Sequence, residues 1–592
     1  MFLEECAYIF TGKNLNKVFL NIIALGLLVP AKRSALIALG LCWISFSVSS
    51  ARAQAPSAGS LQQNIDQEIN SQQLPPKSIQ PIIPARRELK PTGVTFTLKR
   101  VVYKGNTLLS SSQLDAVVAP YLNQKLDYSK LQALSYAIES AYKDAGYLAR
   151  VRLPEQELQD GTLHVEIQEA IFGKARIEGT SVRVSPEQII TIIDAQQLAG
   201  QPINIDHLDR GLLLADDLPG VTVGGVLIRG TLKATTDLGV KVEDENLLYG
   251  SVLMDNTGPT STGSFRVLGN AGINSPAGIG DLLSATYLYS EGSNYGRLAY
   301  TAPVGNDGVR VGINASTLDY KIVSGTFAPL GGYGSAQTIG LESSYPLIRS
   351  RSANLYVSAN ADYRQFSNSS SGTLISQYNV MDYSVSMYGN RFDSFAGGGA
   401  NTASLTLVTG NVDLANSPNQ ASVASSTGAQ GSFTKIRYNA TRNQYLLEDT
   451  SLFGSITGQL TNQNLDSSEQ FYLGGAYGVR AYPTSEGAGS TGQLLTVELR
   501  QKLPENIVAA LFYDYGRLNQ NANNNINGAS SINQYALQGA GLSLGWRPVK
   551  AAYLNITYAH RIGTNPNPTL TGNDQDGTQT IDRFWLSASY AF

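Results

Sequence analysis

The chain has 592 residues, 15% of them charged, with a formal net charge of −3. Soluble domains carry about 25% charged residues and do not usually reach this length as one unit. The small net charge, without a dense basic run interleaved with aromatics, gives no reason to expect nucleic acid as a partner.

Residues 1–55 read as a signal or leader segment. Lys32 and Arg33 precede an apolar run, "SALIALGLCWISFSV", and "SSARAQA" then supplies small residues for cleavage. Cleavage after Ala53 or Ala55 removes both cysteines, Cys6 and Cys42. The mature chain then needs no disulfide and builds no thiolate metal site. An earlier apolar stretch, "VFLNIIALGLLVP", makes the leader long: either the signal is extended or the true start lies downstream. Both runs fall short of the roughly 20 residues of a membrane-spanning helix. No longer apolar run follows, so a chain that enters a membrane must do so as strands.

In residues 56–74, "SLQQNIDQEINSQQ" fits a helix with Ser60 as N-cap and a narrow stripe of Leu61, Ile65 and Ile69. Its polar surface suits a water-filled space, with a disordered polar tail as the alternative. Residues 75–92 form a semi-rigid linker punctuated by Pro75, Pro76, Pro81, Pro84 and Pro91.

Two similar units follow, at 93–169 and 170–246. Each reads β-α-α-β-β, a small layered α+β domain. In the first, the helices are expected near 111–123 and 128–145, the second with Leu131, Leu134, Ile138, Ala141 and Ala145 on one face. In the second unit, Ser185 caps "PEQIITIIDAQQL".

From 247 to 592 helical periodicity vanishes and strands alternate strictly. In "ANLYVSANADYRQF", Leu355, Val357, Ala359, Ala361 and Tyr363 share one face, and Tyr356, Ser358, Asn360, Asp362 and Arg364 the other. That is the apolar-out, polar-in dyad of a membrane barrel, and the abundance of glycine (58) and tyrosine (31) agrees with it. At about 9–11 residues per strand, the region holds roughly 16 antiparallel strands. The last segment, "RFWLSASYAF", alternates to the terminal Phe592.

Chemistry-bearing motifs are sparse. His164, His207 and His560 have no ligand spacing. No phosphate-binding loop, zinc-protease helix or nucleophile elbow is present. His560 reads as a girdle or periplasmic-turn residue, and Glu498 and Arg500 as ordinary lumen charges. No catalytic residue, metal or cofactor is expected, and the chain is not read as an enzyme.

The whole mature chain resembles the TpsB family of two-partner secretion transporters, of the ShlB/FhaC/HecB haemolysin secretion/activation type. "AGYLARVRLPEQELQDGTLHVEIQE" is similar to the end of that family's first POTRA domain, and "DDLPGVTV" to a turn in its second. "DNTGPTSTG", 255–263, resembles its first barrel strand and loop. "FYLGGAYGVRAYPTSEGAGSTG" resembles the sixth-loop motif of the wider POTRA-plus-barrel superfamily, and "FYDYG", 512–516, its F-x-D-x-G strand motif. The resemblance implies an outer-membrane barrel of a Gram-negative bacterium with two periplasmic POTRA domains and a plug-type N-terminal helix.

By the same resemblance, the loop motif with Gly478, Val479, Tyr482 and Pro483 folds into the lumen. Arg480 then reaches Asp514, which the strand motif places between Phe512 and Gly516. A guanidinium grips a carboxylate bidentately where lysine cannot. A glycine-rich loop is expected to lack a packed core, so one polar anchor in a wet lumen would fix it. The alternative is a solvated loop arginine. Ala481 stands where the family usually has glycine, which predicts a different turn at the tip. Ser490 lies near a position where the family often has aspartate. Phe592 resembles the terminal signal read by the barrel assembly machinery.

The implied function is an outer-membrane pore that secretes a partner exoprotein of TpsA type, captured unfolded by the POTRA domains. The implied partners are that exoprotein, outer-membrane lipid and the assembly machinery, with no nucleic acid or nucleotide. The alternative is a barrel assembly or insertion factor. Such relatives carry three or five POTRA domains and lack the helix.

Overall fold

Helix α1 (Ala58–Gln72) begins two residues before the expected cap. Ser57, not Ser60, accepts the Ser60 amide at 3.2 Å and caps the first turn. In a computed structural model, residues 56–72 and 95–592 are described, except 158, 159, 180 and 233. The leader and the proline-rich linker lie outside the described residues. All described residues fall within one unit, Ser49–Phe592.

In the first α+β unit, β1 (Phe96–Thr97) pairs with β3 (Lys125–Leu126). β2 (Arg100–Lys104), β4 (Ala149–Arg152) and β5 (Thr162–Glu169) form a sheet in the order β2-β5-β4. A capping box between Ser110 and Gln113 starts α2 (Ser111–Val118), which is shorter than its sequence pattern. In α3 (Tyr128–Asp144), Leu134, Ile138 and Tyr142 are buried and share a core with Leu163, Val165 and Ile167. Tyr142 turns its hydroxyl to Glu169, 2.9 Å away.

The second unit comprises β6 (Ile171–Glu178), α4 (Pro186–Gln196), α5 (Ile205–Asp216), β7 (Val221–Arg229) and β8 (Thr235–Asp244). Its sheet order is β6-β8-β7, with β7 on an edge. The Ser185 side chain caps α4, as its position predicts. Buried Asp237 ties β8 to β6 by accepting from Arg176 Nε at 2.8 Å. Burial raises this carboxyl, but the bonds from Arg176 and the Thr231 and Lys174 amides outweigh it and hold it below the usual carboxylate range.

Three residues after β8 the barrel begins. Its strands are β9 (Leu248–Asp255), β10 (Arg266–Asn274), β11 (Leu282–Ser290), β12 (Ser293–Val304), β13 (Val309–Lys321), β14 (Gly332–Arg349), β15 (Ala353–Ser370), β16 (Thr373–Asp393), β17 (Gly399–Asp413), β18 (Gly431–Tyr445), β19 (Thr450–Leu460), and then, after a hairpin of β20 (Phe471–Tyr472) with β21 (Ala488–Gly489), β22 (Thr491–Leu503), β23 (Ile507–Asn519), β24 (Gln534–Val549), β25 (Ala552–Arg561) and β26 (Asp582–Ala591). Sixteen of these close an all-antiparallel barrel, the strand number read from the sequence. A short helix, α6 (Gln420–Ser425), interrupts the β17–β18 connection. Leu298, Ile313, Leu341, Val385, Leu405, Leu542 and Ile556 are exposed on the outer face, as lipid contact requires. Asn314, Asp382, Lys435 and Asp514 are buried on the inner one. The closing seam is short: β26 meets β9 only over Ser587–Ala591.

The second unit is fastened to the near-end turns of the barrel. Arg349, its side chain fully buried, donates from Nε and Nη2 to the two oxygens of Asp217, both at 2.7 Å. Arg351 reaches Asp209 at 2.8 Å and Arg210 reaches Asp307 at 3.1 Å. Gln188 donates to the Ile279 carbonyl at 2.9 Å. These contacts settle which end of the barrel faces the α+β units.

Candidate functional site

The lumen is filled by two inserted segments, the loop between β19 and β22 and helix α1. Loop residues Phe471, Leu473, Val479, Ala481 and Tyr482 pack with Phe512, Leu518, Leu537 and Ala559 of the wall. The loop therefore does have an apolar core, contrary to expectation, and it borrows that core from the barrel. Glycine makes the close approach possible. A Cβ on Gly478 would lie 1.9 Å from the Leu473 carbonyl oxygen, and one on Gly516 would lie 2.7 Å from Leu473 and 2.9 Å from Val479. Gly516 is thus the dent in β23 that receives the loop. Pro483 is buried as well.

Arg480 sits at the centre. Its backbone amide and Nε donate to Asp514 Oδ2 at 3.1 and 2.8 Å, and Nη2 donates to Oδ1 at 2.8 Å. Nη1 donates to Glu498 Oε1 at 2.8 Å, and Arg500 holds the other oxygen of Glu498 at 2.8 Å. The guanidinium lies 3.4 Å over the Phe512 ring, a cation–π contact. Trp585 Nε1 donates to the Arg480 carbonyl at 2.8 Å, which ties the loop to the last strand. The Asp514 side chain is 0% exposed and that of Arg480 12%. This is not the wet ion pair expected: packed side chains replace water around it. Glu498, expected as an ordinary lumen charge, is a direct partner. Its alternation with Arg500 was the only local signal for it.

Ala481 takes no positive φ, so the residue that departs from the family pattern costs no backbone strain. Its Cβ instead fills the space over Gly539. Ser490 is buried; its hydroxyl accepts from the Leu465 amide at 3.1 Å and donates to the Gln520 carbonyl at 3.2 Å. Tyr482 is buried beneath the Arg561 guanidinium, 4.3 Å from the ring centroid. Phe592 exchanges backbone bonds with Gly250 of β9 at 2.9 and 3.0 Å and leaves its ring exposed. His560 lies on the far rim, exposed and 2.7 Å from Asp582, not in a near-end turn. His164 and His207 belong to the two α+β units. Among the described residues no group of three or more His, Cys, Asp or Glu is placed to hold a metal ion.

Helix α1 lies inside the barrel. Ala58, Leu61 and Ile65 are buried against lumen residues that include Leu318, Tyr320, Phe366 and Tyr378, with Ile69 packed beside them. Its polar faces are matched too. The Ala58 amide donates to Asn368 at 2.7 Å, and Asn64 to Ser485 of the inserted loop at 3.0 Å. Arg266 donates to both oxygens of Glu68 at 2.7 and 2.8 Å while also holding Asp255 at 2.9 Å, and it reaches the Thr257 hydroxyl. Nothing local in the sequence marks Glu68, Arg266 or Trp585.

Comparison with known proteins follows the same division. A model of the haemolysin secretion/activation protein family ShlB/FhaC/HecB matches residues 234–547, and a ShlB-type POTRA domain model matches 96–170. The chain is 25% identical over 509 residues to the heme/hemopexin transporter protein HuxB of Haemophilus influenzae, covering 84% of this chain and 88% of that one. It is 27% identical over 248 residues to the outer membrane transporter CdiB of Escherichia coli, 41% of this chain and 42% of that one. In fold it is similar to the solved CdiB from Escherichia coli, with a TM-score of 0.66 at 20% identity over 91% of this chain and 100% of that chain. It is also similar to BamA from Haemophilus ducreyi lacking POTRA domains 1–3, with a TM-score of 0.52 at 15% identity over 84% and 100%.

Proposed function

Since the chain belongs to the haemolysin secretion/activation family ShlB/FhaC/HecB, and is an outer-membrane transporter of two-partner secretion with periplasmic POTRA domains, we propose how it handles its passenger. The family match favours this function over the barrel-insertion alternative. The partner is a secreted exoprotein of TpsA type. The two POTRA domains capture it unfolded, α1 vacates the lumen, the chain passes through, and folding outside supplies direction without nucleotide. We read the chain as a pore without catalytic activity, in contact with outer-membrane lipid on its apolar outer face. The observation that supports this reading is a closed barrel whose lumen holds helix α1, joined to the wall by side-chain contacts and, among the described residues, by no strand pairing.

The test is removal of residues 93–169. Barrel assembly should persist, read as heat-modifiable protein in the outer membrane, while the exoprotein accumulates in the periplasm. Normal secretion by that deletion would place capture elsewhere.

Phe592 we propose as the assembly signal. Its exposed ring costs the folded barrel little to remove, yet its backbone lengthens the short seam to β9. Deleting Phe592 should lower the amount of folded barrel in the outer membrane. Unchanged heat-modifiable protein would reject that role.

A further inference from the structure

We propose that Glu469, at the root of the inserted loop, competes with Asp66 of α1 for one wall arginine, Arg364, and thereby sets how readily the helix leaves the lumen. This rests on the reading that α1 vacates the pore and goes beyond it by naming the positioning residue that controls the release.

The inserted loop has a second anchor besides Arg480. Glu469 Oε2 lies 2.7 Å from Lys435 Nζ of β18, and the two side chains are 2% and 0% exposed. Glu469 Oε1 accepts from Arg364 Nη1 of β15 at 3.3 Å. The Glu469 carbonyl accepts from Lys435 Nζ at 2.8 Å and from Gln459 at 2.9 Å. Charges this deep are tolerated only while each neutralises another.

Arg364 has no tight bidentate grip of the kind Arg480 has on Asp514. Besides Glu469 it stands 3.4 Å from Asp382 and 4.0 Å from Asp362, both on the wall. Asp382 Oδ2 accepts no hydrogen bond among the described residues. Asp66 of α1 is the fourth carboxylate, and the cations that face it are Arg364, Arg437 and Arg297. Gln62, one turn earlier on the helix, donates to Asp66 Oδ1 at 3.1 Å. One guanidinium therefore serves the loop, the helix and two wall acids. Attraction falls with distance, so Arg364 approaches one acid only by receding from another. Glu68 is outside this competition, because Arg266 holds it.

The helix also lies directly on the loop root. Ser57 Oγ meets Ser467 Oγ at 3.0 Å, and Gln63 donates to the Gln470 carbonyl at 3.3 Å. An added Cβ on Gly59 would lie 2.9 Å from Ser468 Cβ. Seating of the helix and anchoring of the loop are thus linked, and linkage is reciprocal. What frees Arg364 from Glu469 tightens the helix, and what draws Arg364 to Glu469 loosens it.

The test counts open events of the full chain in planar bilayers. Glu469→Gln leaves Arg364 and Lys435 to attract Asp66, while both bonds to the carbonyl at 469 remain. Openings should fall about fivefold, within the usual range of coupling between sites. Lys435→Met leaves Glu469 to lean on Arg364, and openings should rise by a similar factor. With Asp66→Asn added, the two variants should open equally often, since neither then changes a hold on the helix. A merely structural anchor would loosen the loop in either variant and raise openings in both. That result, no change in either, or a difference that survives Asp66→Asn would overturn the competition. Heat-modifiable barrel shows which variants fold, and either one paired with Asp66→Asn decides the outcome. Deleting residues 58–72 separates the two readings. Unchanged conductance rejects the plug and the competition with it, whereas raised conductance with like responses of the two variants rejects the competition alone.

Discussion

Arg480→Ala and Asp514→Ala should each reduce secretion about tenfold or more at equal barrel levels, since each removes charge-assisted bonds that contribute about 1.5–3 kcal/mol. The double mutant should be little worse than either single one. That non-additivity is the signature of a shared interaction. The geometry explains why the singles are costly. Asp514 is fully buried and accepts three bonds from Arg480 and one from Thr496 at 3.0 Å. Removing Arg480 leaves it and Glu498 as buried carboxylates with Arg500 as the remaining cation near Glu498. Breaking one half of a buried pair costs about 3–5 kcal/mol. The loop should therefore loosen as well as transport fail, and proteolysis within 461–490 should rise in both singles. Arg480→Lys should restore secretion only in part. An ammonium cannot span Asp514 and Glu498 at once, nor lie flat on Phe512 as the guanidinium does. Additive losses across the cycle would leave Arg480 as an ordinary loop residue.

Deleting residues 58–72 should raise single-channel conductance severalfold in planar bilayers while secretion continues. The helix occupies the lumen through a small apolar patch and a set of polar contacts, and both kinds can be exchanged for water. Its strongest hold is Glu68 on Arg266. Glu68→Gln should give an intermediate result, with more frequent open events, because it leaves the Arg266 guanidinium one neutral acceptor oxygen in place of a bidentate carboxylate. Arg266 keeps Asp255 and Thr257 as partners in that variant, so the barrel itself should remain as stable as before. Conductance equal to that of the intact chain after the deletion would reject a plug and make α1 a passenger of the lumen.

What could be read without a structure follows the range of each signal. Period-two alternation, helical stripes and turn residues are local, because strand and helix geometry repeats every few residues. The barrel, its sixteen strands and the two β-α-α-β-β units were accordingly legible, down to the Ser185 cap. The stripe of Leu61, Ile65 and Ile69 marked α1 as a helix for the same reason, although its cap fell at Ser57. What the stripe packs against was not legible, since Glu68 and Arg266 stand 198 positions apart. Arg480 and Asp514 could be matched only through motif resemblance; nothing local joins them. That their pair is dry, that Glu498 shares it, and that Ala481 fits over Gly539 all depend on which side chains the closed barrel brings to one point. Composition and period determine that a chain makes a barrel. Only closure of that barrel decides what fills it, because the lumen's neighbours come from strands that are distant in sequence and are placed by register rather than by any local pattern.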